Sequence, residues 1–572
     1  MANTQTGPVI NPTDTQRYQM LANALDNAGR PEDLENIIEL LNPPPDITAY
    51  ADYGDFKGVK IGIIGAGLSG MSAAFELRKT GADITILEAS DNRVGGRVYT
   101  HYFDRSRKYY GELGPMRIPV SHGTTWHYIN LFHLITVPSS ARNSNNFIYS
   151  HNTRIRKDPD GANIEEYLYP LYNLTEVEKS TPWNVLNDYA FTSPLKALSP
   201  DIRRELLQIL PDYNPELHPY INHSIRQILE GLGLSQAAIT LLASVDSLTG
   251  DSLASNYFEN LNEEYSLDYT NIYRISGGME YLPYAFYDSL TNPAPKEYTQ
   301  DPDTIGTCTI KFGHYVTGIN QVSGDSIALR YDTRSLKDQM EEFDYVICAI
   351  PFSMLRTVDI NPFFCNQKMQ AIRELNYYNA LKSAFFCKDR FWEENTDYGR
   401  MNGGFSTTDL PIRSIFYPTD HLFCPEDVDC SPSTPGVITA AYNIGLDAVR
   451  VGAFGDRQRF AFIKRNIEQV HGLPQGYLDK LVDGHKTINW NEEPFAKGAF
   501  SSNLPGQLLN FAYDSLLPEY NNHIFFAGEH TSSKHGWMQG ALYSGMLAAN
   551  FLSFSKRNPV YMDPDNERYV SR

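Results

Sequence analysis

Short apolar runs rich in β-branched residues alternate with helical patterns along this chain. The run from Val59 to Ile64 is typical of a buried parallel strand, because such strands are apolar on both faces. A glycine-rich turn follows it, then a helical pattern over Met71–Lys79 and a second apolar run over Ile84–Leu87. This order of strand, turn, helix and strand predicts the first unit of a parallel sheet.

Later apolar runs predict two further groups of strands. Thr309–Ile319 and Tyr345–Ile350 are expected to join the same parallel sheet, and Ile524–Glu529 is expected to be a buried strand. From Gln367 onwards the runs are short and alternate with turn residues, which favours an antiparallel sheet in a separate domain. The strands predicted there are Ala384–Cys387, Ser414–Tyr417 and Val437–Tyr442.

Helical patterns occupy much of the remaining chain. Residues 185–265 contain amphipathic stretches with few strand signals, so a helical insertion is expected there. Its acids, including Glu263 and Glu264, are interpreted as a solvated face. Further helices are predicted over Thr15–Ala28, Pro31–Leu41, Phe460–Val470 and Met538–Phe551.

Length and charge limit the class of protein. A chain of 572 residues is too long for one core, so two or three domains are expected. The net charge of −20 opposes binding to nucleic acid and to anionic membranes. No apolar run reaches the roughly 18 to 20 residues that span a bilayer. The first residues lack the features of a signal peptide, so a cytoplasmic location is expected, and a secreted mature form stays open.

The six cysteines indicate no metal site, because they form no CxxC pair and no group with histidine. Cys348 lies in an apolar run and is expected to be buried. Cys424 and Cys430 are close enough in sequence to pair, and free thiols are an equal alternative.

The turn after the first strand has glycine at Gly65, Gly67 and Gly70. In a dinucleotide site the first glycine permits the tight turn, the second lets the backbone approach the pyrophosphate, and the third lets helix and strand pack closely. Glu88 ends the second strand, where an acid binds the ribose. Glycine spacing alone is weak evidence, but strand, helix and acid together predict a dinucleotide site.

Two arginine-containing segments follow. Arg93–Arg97 places two glycines between arginines, which suits a loop against a pyrophosphate, although an ordinary basic turn is the alternative. Arg117 lies between Met116 and Ile118, and an arginine among such neighbours needs a partner for its charge. That partner is either an internal carboxylate or a bound substrate.

The chain ends with another strand, loop and helix. Ile524–Glu529 is apolar until its final glycine and acid, and Met538 begins a helix rich in small residues. We expect the N-terminus of this helix to face the bound cofactor and to stabilise negative charge there. An ordinary terminal strand and helix is the alternative.

Four segments in this order, GAGLSG, RVGGR, LGPMRIP and FFAGEHTSSKHGW, resemble the L-amino acid oxidases, flavoenzymes related to monoamine and polyamine oxidases. The resemblance extends from about Lys60 to Ser553. It implies an α/β fold with a Rossmann-like FAD-binding domain, an antiparallel-sheet substrate domain and a helical insertion. The implied ranges are 50–98, 266–362 and 515–556 for the FAD-binding domain, 1–49, 99–180 and 363–514 for the substrate-binding domain, and 181–265 for the helical domain.

The resemblance also implies roles for single residues. Arg117 would bind the substrate carboxylate together with Tyr417, and Lys382 would hold a water molecule at flavin N5. Trp537 would form an aromatic wall, and the Gly536 carbonyl would accept from the substrate amine. Val316 would contact the adenine and Glu529 the ribityl chain. The residues implied to contact FAD are Gly65, Ala66, Gly67, Leu68, Ser69, Gly70, Glu88, Ala89, Gly95, Gly96, Arg97, Gly114, Pro115, Met116, Arg117, Val316, Gly528, Glu529, Gly536, Trp537 and Met538.

Two departures from the family pattern matter. Asn260–Tyr265 contains no histidine, whereas some members place one there near the substrate, so the identity of a general base is open. No cysteine lies near Trp537, so FAD is expected to be noncovalent.

The reaction implied is oxidative deamination of an L-amino acid to a 2-oxo acid, ammonia and hydrogen peroxide. Hydride would pass from the substrate α-carbon to flavin N5, and dioxygen would reoxidise the flavin. A homodimer or higher homo-oligomer is expected. The alternatives are an amino-acid monooxygenase, a polyamine or monoamine oxidase, and a flavin-free binding protein. The side-chain preference stays open.

Overall fold

Five parallel strands build the sheet that the first apolar runs predict. The computed structural model describes residues 9–140, 143–302, 304–322, 326–422, 424 and 428–558. Lys60–Ile64 is its central strand, between Asp83–Glu88 and Tyr345–Cys348. Thr307–Phe312 and Ile524–Phe526 form the two edges. A parallel sheet covered on both faces explains why the central strands are apolar throughout.

Two helices lie side by side against this sheet. Small residues allow helix Met538–Arg557 to approach helix Leu68–Arg78 closely: a Cβ atom at Gly545 would lie 2.0 Å from the Ser72 hydroxyl oxygen. That hydroxyl donates a hydrogen bond to the Leu542 carbonyl at 3.1 Å. The first residues of both helices line the same cavity.

The prediction of Thr309–Ile319 as one strand of this sheet is wrong. Thr307–Phe312 does pair with the parallel sheet, but the chain then turns at Gly313, whose φ of +67° favours glycine. The following residues enter a separate four-stranded sheet. Its strands, in spatial order, are Gln339–Phe343, Ile327–Asp332, Tyr315–Gln321 and Asp359–Asn361.

The alternating runs after Gln367 form a mainly antiparallel sheet, as predicted. Seven strands take part, and the pairing of Phe405–Thr408 with Phe147–Ser150 is parallel. The strands, in spatial order, are Val482–Asn489, Ala380–Cys387, Gly436–Ile444, Ser414–Phe416, Phe405–Thr408, Phe147–Ser150 and Thr153–Arg156. Two smaller sheets pair Thr100–Tyr102 with Tyr110–Glu112, and Ile118–Pro119 and Thr136–Pro138 with Ile272–Ile275.

The predicted helical insertion is present. Its helices are Trp183–Ala197, Pro200–Glu205, His218–Asn222, Ile225–Gly231, Gln236–Val245, Ser247–Ser252 and Tyr257–Tyr265. The helices Ile164–Leu168, Tyr169–Leu171 and Glu176–Ser180 come before the predicted range. The remaining helices elsewhere are Ile47–Ala49, Gly123–Leu131, Tyr281–Thr291, Phe352–Leu355, Asn366–Glu374, Leu446–Gly452, Asp456–His471, Leu508–Ala512, Tyr513–Leu516 and Glu529–Thr531. Asp456–His471 contains the helix predicted from Phe460.

The predicted N-terminal helices pack against this insertion. Asp14–Ala28 and Leu34–Leu41 are joined by a short turn that contains Pro31–Asp33. Within that connection, Arg30 donates to the Tyr265 carbonyl at 3.2 Å. The N-terminal residues therefore contact the end of the last helix of the insertion. The domain ranges given above stay a prediction.

The structure shows the state of three cysteines discussed from the sequence. Cys424 and Cys430 form a disulfide, with their Cα atoms 6.1 Å apart. Cys348 is buried, as expected. Among the helices within the described ranges, none is both long and apolar enough to cross a bilayer.

Candidate functional site

The glycine turn forms a cradle at one end of the cavity. Gly65 has a φ of +97°, which favours glycine, and a Cβ atom at Gly70 would lie 2.1 Å from the Gly65 carbonyl oxygen. A Cβ atom at Gly67 would have no neighbour within 4 Å, so this backbone is open to a ligand. Helix Leu68–Arg78 begins here without a side-chain cap. Its free N–H groups suit a pyrophosphate.

Glu88 lies beside this cradle at the end of its strand. Its carboxylate accepts hydrogen bonds from the Ala66 N–H at 2.8 Å and from the Ser90 N–H at 2.7 Å. Burial raises the pKa of Glu88, and these two N–H groups counteract that effect. A carboxylate held in this way keeps further acceptor capacity for the hydroxyls of a ribose.

The arginine loop is packed against the glycine turn. Gly95 N–H donates to the Ala66 carbonyl at 2.8 Å. Arg97 leaves the loop and donates to Glu529 at 2.7 Å and to the Ala499 carbonyl at 3.0 Å. Arg97 and Glu529, predicted separately as cofactor ligands, are thus partners of each other in the cavity wall.

Glu529 also holds the C-terminal loop. Its second oxygen accepts from the Gly536 N–H at 3.0 Å and from the Ser501 hydroxyl at 2.7 Å. Burial alone would raise the pKa of Glu529, but the charge of Arg97, together with neighbouring histidines and the Gly536 N–H, holds it at about 2. This carboxylate therefore positions Gly536 and, through it, Trp537.

Arg117 lies at the other end of the cavity. Its guanidinium carbon is 5.0 Å from the centre of the Phe416 ring and 5.4 Å from that of Tyr269. No described residue forms an ion pair or hydrogen bond with it. Two aromatic faces thus support the cation while its donors stay available. Of the two partners considered for Arg117, the internal carboxylate is therefore not found.

Lys382 approaches the same region from the antiparallel sheet. Its ammonium donates to the Gly114 carbonyl at 2.6 Å and lies 4.4 Å from the centre of the Tyr442 ring. Burial and the nearby charge of Arg117 lower the pKa of Lys382 to about 7. The lysine is therefore close to losing its charge near neutral pH.

The prediction for Tyr417 is wrong. Its hydroxyl lies on the opposite face of the sheet, bonded to the Ser406 hydroxyl at 2.7 Å and to the His471 ring at 2.9 Å. Successive side chains of a strand alternate between faces, and it is Phe416 that faces Arg117. Tyr442, on the neighbouring strand, lines the cavity instead.

Sequence reasoning missed residues of the helical insertion. Glu263 was interpreted as solvated, but it lines the cavity and accepts from the Trp537 indole N–H and from the Tyr269 hydroxyl, each at 3.0 Å. Glu259 bonds the His535 ring at 2.9 Å. The spacing of four residues between these two glutamates was a usable signal, because it places both on one helix face.

A single cavity of about 350 Å³ collects nearly all the predicted residues. Ala66 and Gly70 do not line it, because they support the turn from behind, and neither does Tyr417. Those that line it are Gly65, Gly67, Leu68, Ser69, Glu88, Ala89, Gly95, Gly96, Arg97, Gly114, Pro115, Met116, Arg117, Val316, Lys382, Gly528, Glu529, Gly536, Trp537 and Met538. Within the described residues, no group of three or more metal-binding side chains was found.

Comparisons with known proteins place this geometry in context. Residues 68–552 match the model of a family described as flavin containing amine oxidoreductase. An L-amino-acid oxidase of Sistrurus catenatus edwardsii is 28% identical over 544 residues, 92% of this chain and 96% of the relative. One of Vipera ammodytes ammodytes is 29% identical over 523 residues, 89% and 98% of the two chains.

Solved structures share the fold. Putrescine oxidase bound to putrescine has a TM-score of 0.64 and 18% identity, and the match covers 86% of this chain and 98% of that one. Cyclohexylamine oxidase from Brevibacterium oxydans has a TM-score of 0.62 and 17% identity, with 87% and 99% covered. The expected cytoplasmic location is wrong by comparison, because the relatives from Sistrurus and Crotalus are secreted venom enzymes.

Proposed function

The chain belongs to the flavin-containing amine oxidoreductase family, and on that premise we propose that it oxidises free L-amino acids. The products are a 2-oxo acid, ammonia and hydrogen peroxide, with dioxygen as electron acceptor. The observation that carries the proposal is Arg117, a cation in the cavity wall that forms no ion pair or hydrogen bond with a described residue. A substrate carboxylate would complete its hydrogen bonds. The L-amino-acid oxidases that match over most of the chain support the same substrate class.

FAD is the cofactor, and when bound it supplies the two-electron chemistry and the reaction with dioxygen. The open backbone at Gly67 and the uncapped helix that begins at Leu68 fit its pyrophosphate. Glu88 would bind its adenosine ribose. We propose noncovalent binding, since the six cysteines all lie in the described residues and none lines the cavity.

The residues at the substrate end would orient the amino acid. Arg117 would bind the α-carboxylate in a bidentate manner, and the Tyr442 hydroxyl would donate to the same group. The Gly536 carbonyl would accept from the amine, and Trp537 would close one side. Lys382 would hold a water molecule beside the reacting atoms. Fixing both polar groups of the substrate positions its α-carbon and excludes amines without a carboxylate.

Replacement of Arg117 tests this proposal. Arg117→Met keeps an apolar side chain between the two rings but leaves the substrate carboxylate unpaired. Loss of such a pair costs about 2–5 kcal/mol, so kcat/KM should fall roughly 30-fold to several thousand-fold. The measurement is peroxide release with phenylalanine and with its decarboxylated analogue phenethylamine. Arg105→Met, at an exposed arginine, is the matched control.

The results separate the alternatives. A tenfold loss or less would mean that Arg117 does not bind the carboxylate, and equal activity on phenethylamine would indicate an amine oxidase. An amide product instead of a 2-oxo acid would indicate a monooxygenase.

Homo-oligomerisation is part of the proposal. It is supported by large apolar side chains exposed on the helices between Ile164 and Ala197. These are Tyr167, Leu171, Val177, Val185 and Tyr189. Light scattering of the wild type and of Val177→Lys tests it, and a wild-type monomer would contradict it.

A further inference from the structure

Glu263 and Arg117 lie on either side of the Tyr269 side chain. The Tyr269 ring separates them: its face contacts the Arg117 guanidinium and its hydroxyl bonds the Glu263 carboxyl. The other Glu263 oxygen accepts from Trp537, the neighbour of Gly536. A substrate held by Arg117 and by the Gly536 carbonyl would therefore have its amino group on the side of the cavity that Glu263 lines.

We propose that Glu263 is the group that accepts the proton of the substrate ammonium before oxidation. This inference rests on the proposed function. An N–H bond of the ammonium breaks, an O–H bond forms on the Glu263 carboxylate, and the electron pair stays on nitrogen. The resulting neutral amine could then pass its α-hydrogen as a hydride to bound FAD, the two-electron acceptor, which leaves an imino acid. Both Glu263 oxygens are already held by donors, so the carboxyl is fixed in place and each oxygen keeps a lone pair for the substrate.

The surroundings of Glu263 suit this role. Burial and the charge of Asp268 raise its pKa to about 7, against the opposing effects of the Trp537 and Tyr269 hydrogen bonds and of the Lys534 charge. The other groups that face this cluster are His122, which bonds Asp268, and Arg117 and Tyr442 beyond Tyr269. Glu263 therefore changes charge near neutral pH, as a proton acceptor requires.

Besides Lys382, whose ammonium donates to the Gly114 carbonyl at 2.6 Å, His535 is the competing proton acceptor in the cavity wall. Burial would lower its pKa, but the bonded Glu259 carboxylate outweighs that effect and raises it. His535 is held by Glu259, whereas Glu263 is bonded to Tyr269 and Trp537, the two rings next to Arg117 and Gly536, so the contacts favour Glu263.

The test compares Glu263→Gln with Glu264→Gln in the FAD-loaded enzyme. The glutamine can still accept from Trp537 through its oxygen and donate to Tyr269 through its nitrogen, so the wall is preserved. Glu264 is the adjacent residue of the same helix and does not line the cavity. At pH 7, Glu263→Gln should lose roughly 10²- to 10⁴-fold in kcat/KM, the contribution of a general base. Its kcat/KM should then rise tenfold per pH unit, because only amine already neutral in solution reacts.

A binding measurement gives a second readout. The amino acid 2-methylalanine has the ammonium and the carboxylate but no α-hydrogen, so it binds without being oxidised. Its binding, measured as Kd by titration calorimetry, should weaken in the wild type as the pH falls below 7, and this weakening should be absent in Glu263→Gln, where Lys382 is the remaining cavity group with a pKa of about 7 and gains positive charge on acidification. A variant within threefold of the wild type across this range would overturn the inference.

Two further outcomes separate a failure of this inference from a failure of the proposed function. A loss confined to lysine and arginine substrates would overturn the inference, because it would assign Glu263 to recognition of the substrate side chain. A wild type that oxidises no L-amino acid would overturn the proposed function first, and this inference with it.

Discussion

The two ends of the cavity are built from different parts of the chain. The nucleotide end consists mainly of backbone from three loops, Gly65–Gly70, Arg93–Arg97 and the loop that begins at Gly528. The substrate end consists of side chains that arrive from separate elements. These are Arg117, Glu263, Lys382, Tyr442 and Trp537.

This difference decides what a sequence shows. A backbone that must turn sharply or approach a ligand requires glycine at fixed local spacing, so the nucleotide end leaves a visible motif. The substrate end needs only that one side chain of each strand or helix points inward. That condition leaves no local pattern in the sequence. The side chain that points inward can therefore belong to the residue next to the one expected.

The ion pair between Arg97 and Glu529 links the two ends, and breaking it should have the largest effect. Glu529→Gln leaves the partly buried Arg97 guanidinium without its anion and weakens the support of Gly536. The free energy of unfolding should therefore fall by about 3–5 kcal/mol. Denaturant unfolding measures this, with Glu492→Gln, at an exposed glutamate, as control.

The same pair predicts a pH dependence. Folding lowers the Glu529 pKa from its ordinary 4.5 to about 2. A lowered carboxyl pKa stabilises the fold above pH 4.5, and that stabilisation is lost as the pH falls toward 2. The difference between wild type and Glu529→Gln should therefore shrink on acidification through this range. A constant difference would show that the pair does not titrate as described.

Lys382 tests whether the substrate end also controls the reaction with dioxygen. Lys382→Met removes a buried donor and its charge beside the reacting atoms, so oxidation of the reduced enzyme by dioxygen should slow about a hundredfold. Stopped-flow mixing of reduced enzyme with dioxygen measures that rate, and anaerobic reduction by substrate should change little. Lys388→Met, at an exposed lysine that follows the same strand, is the control. Slowing of reduction alone would place Lys382 in substrate binding instead.

Prediction from the sequence succeeded where the signal is local, as at the nucleotide end, and failed where side chains come together from separate elements, as at the substrate end. The strand predicted at Val59–Ile64, the helix predicted at Met71–Lys79 and the terminal helix predicted from Met538 are all present, because periodicity and glycine spacing are local signals. The strand over Thr309–Ile319 was wrong because the chain turns at Gly313, which separates a strand of the parallel sheet from a strand of the four-stranded sheet. Glu263 was missed because an acid on an amphipathic helix is ordinarily solvated. Its spacing from Glu259 places both on one helix face, but it is the contacts with Trp537 and Tyr269 that show this face to be turned to the cavity.

Gly70 tests whether the turn at the nucleotide end is as closely packed as the structure indicates. A Cβ atom there would lie 2.1 Å from the backbone oxygen of Gly65, which cannot move without opening the turn. Gly70→Ala should therefore cost about 1–3 kcal/mol of stability and should lower the FAD content, read as the ratio of flavin to protein absorbance. Gly67→Ala is the informative control, because its Cβ atom would meet no protein atom and can affect only the bound cofactor. Equal stability of the two variants would contradict the close-packed turn.

Two tyrosines test the substrate end with the smallest expected effects. Tyr442→Phe removes a hydroxyl from the cavity wall. KM for a good substrate should rise by the factor that corresponds to the loss of one hydrogen bond, about 0.5–1.5 kcal/mol, and the stability of the fold should not change. Tyr417→Phe removes a hydroxyl bonded to Ser406 and His471 outside the cavity, so stability should fall by a similar amount and KM should not change. The two variants are chemically identical, which makes each the control of the other. If Tyr417→Phe raised KM and Tyr442→Phe did not, the assignment of Tyr442 to the carboxylate would be wrong. The inward face of this sheet would then differ from the one described.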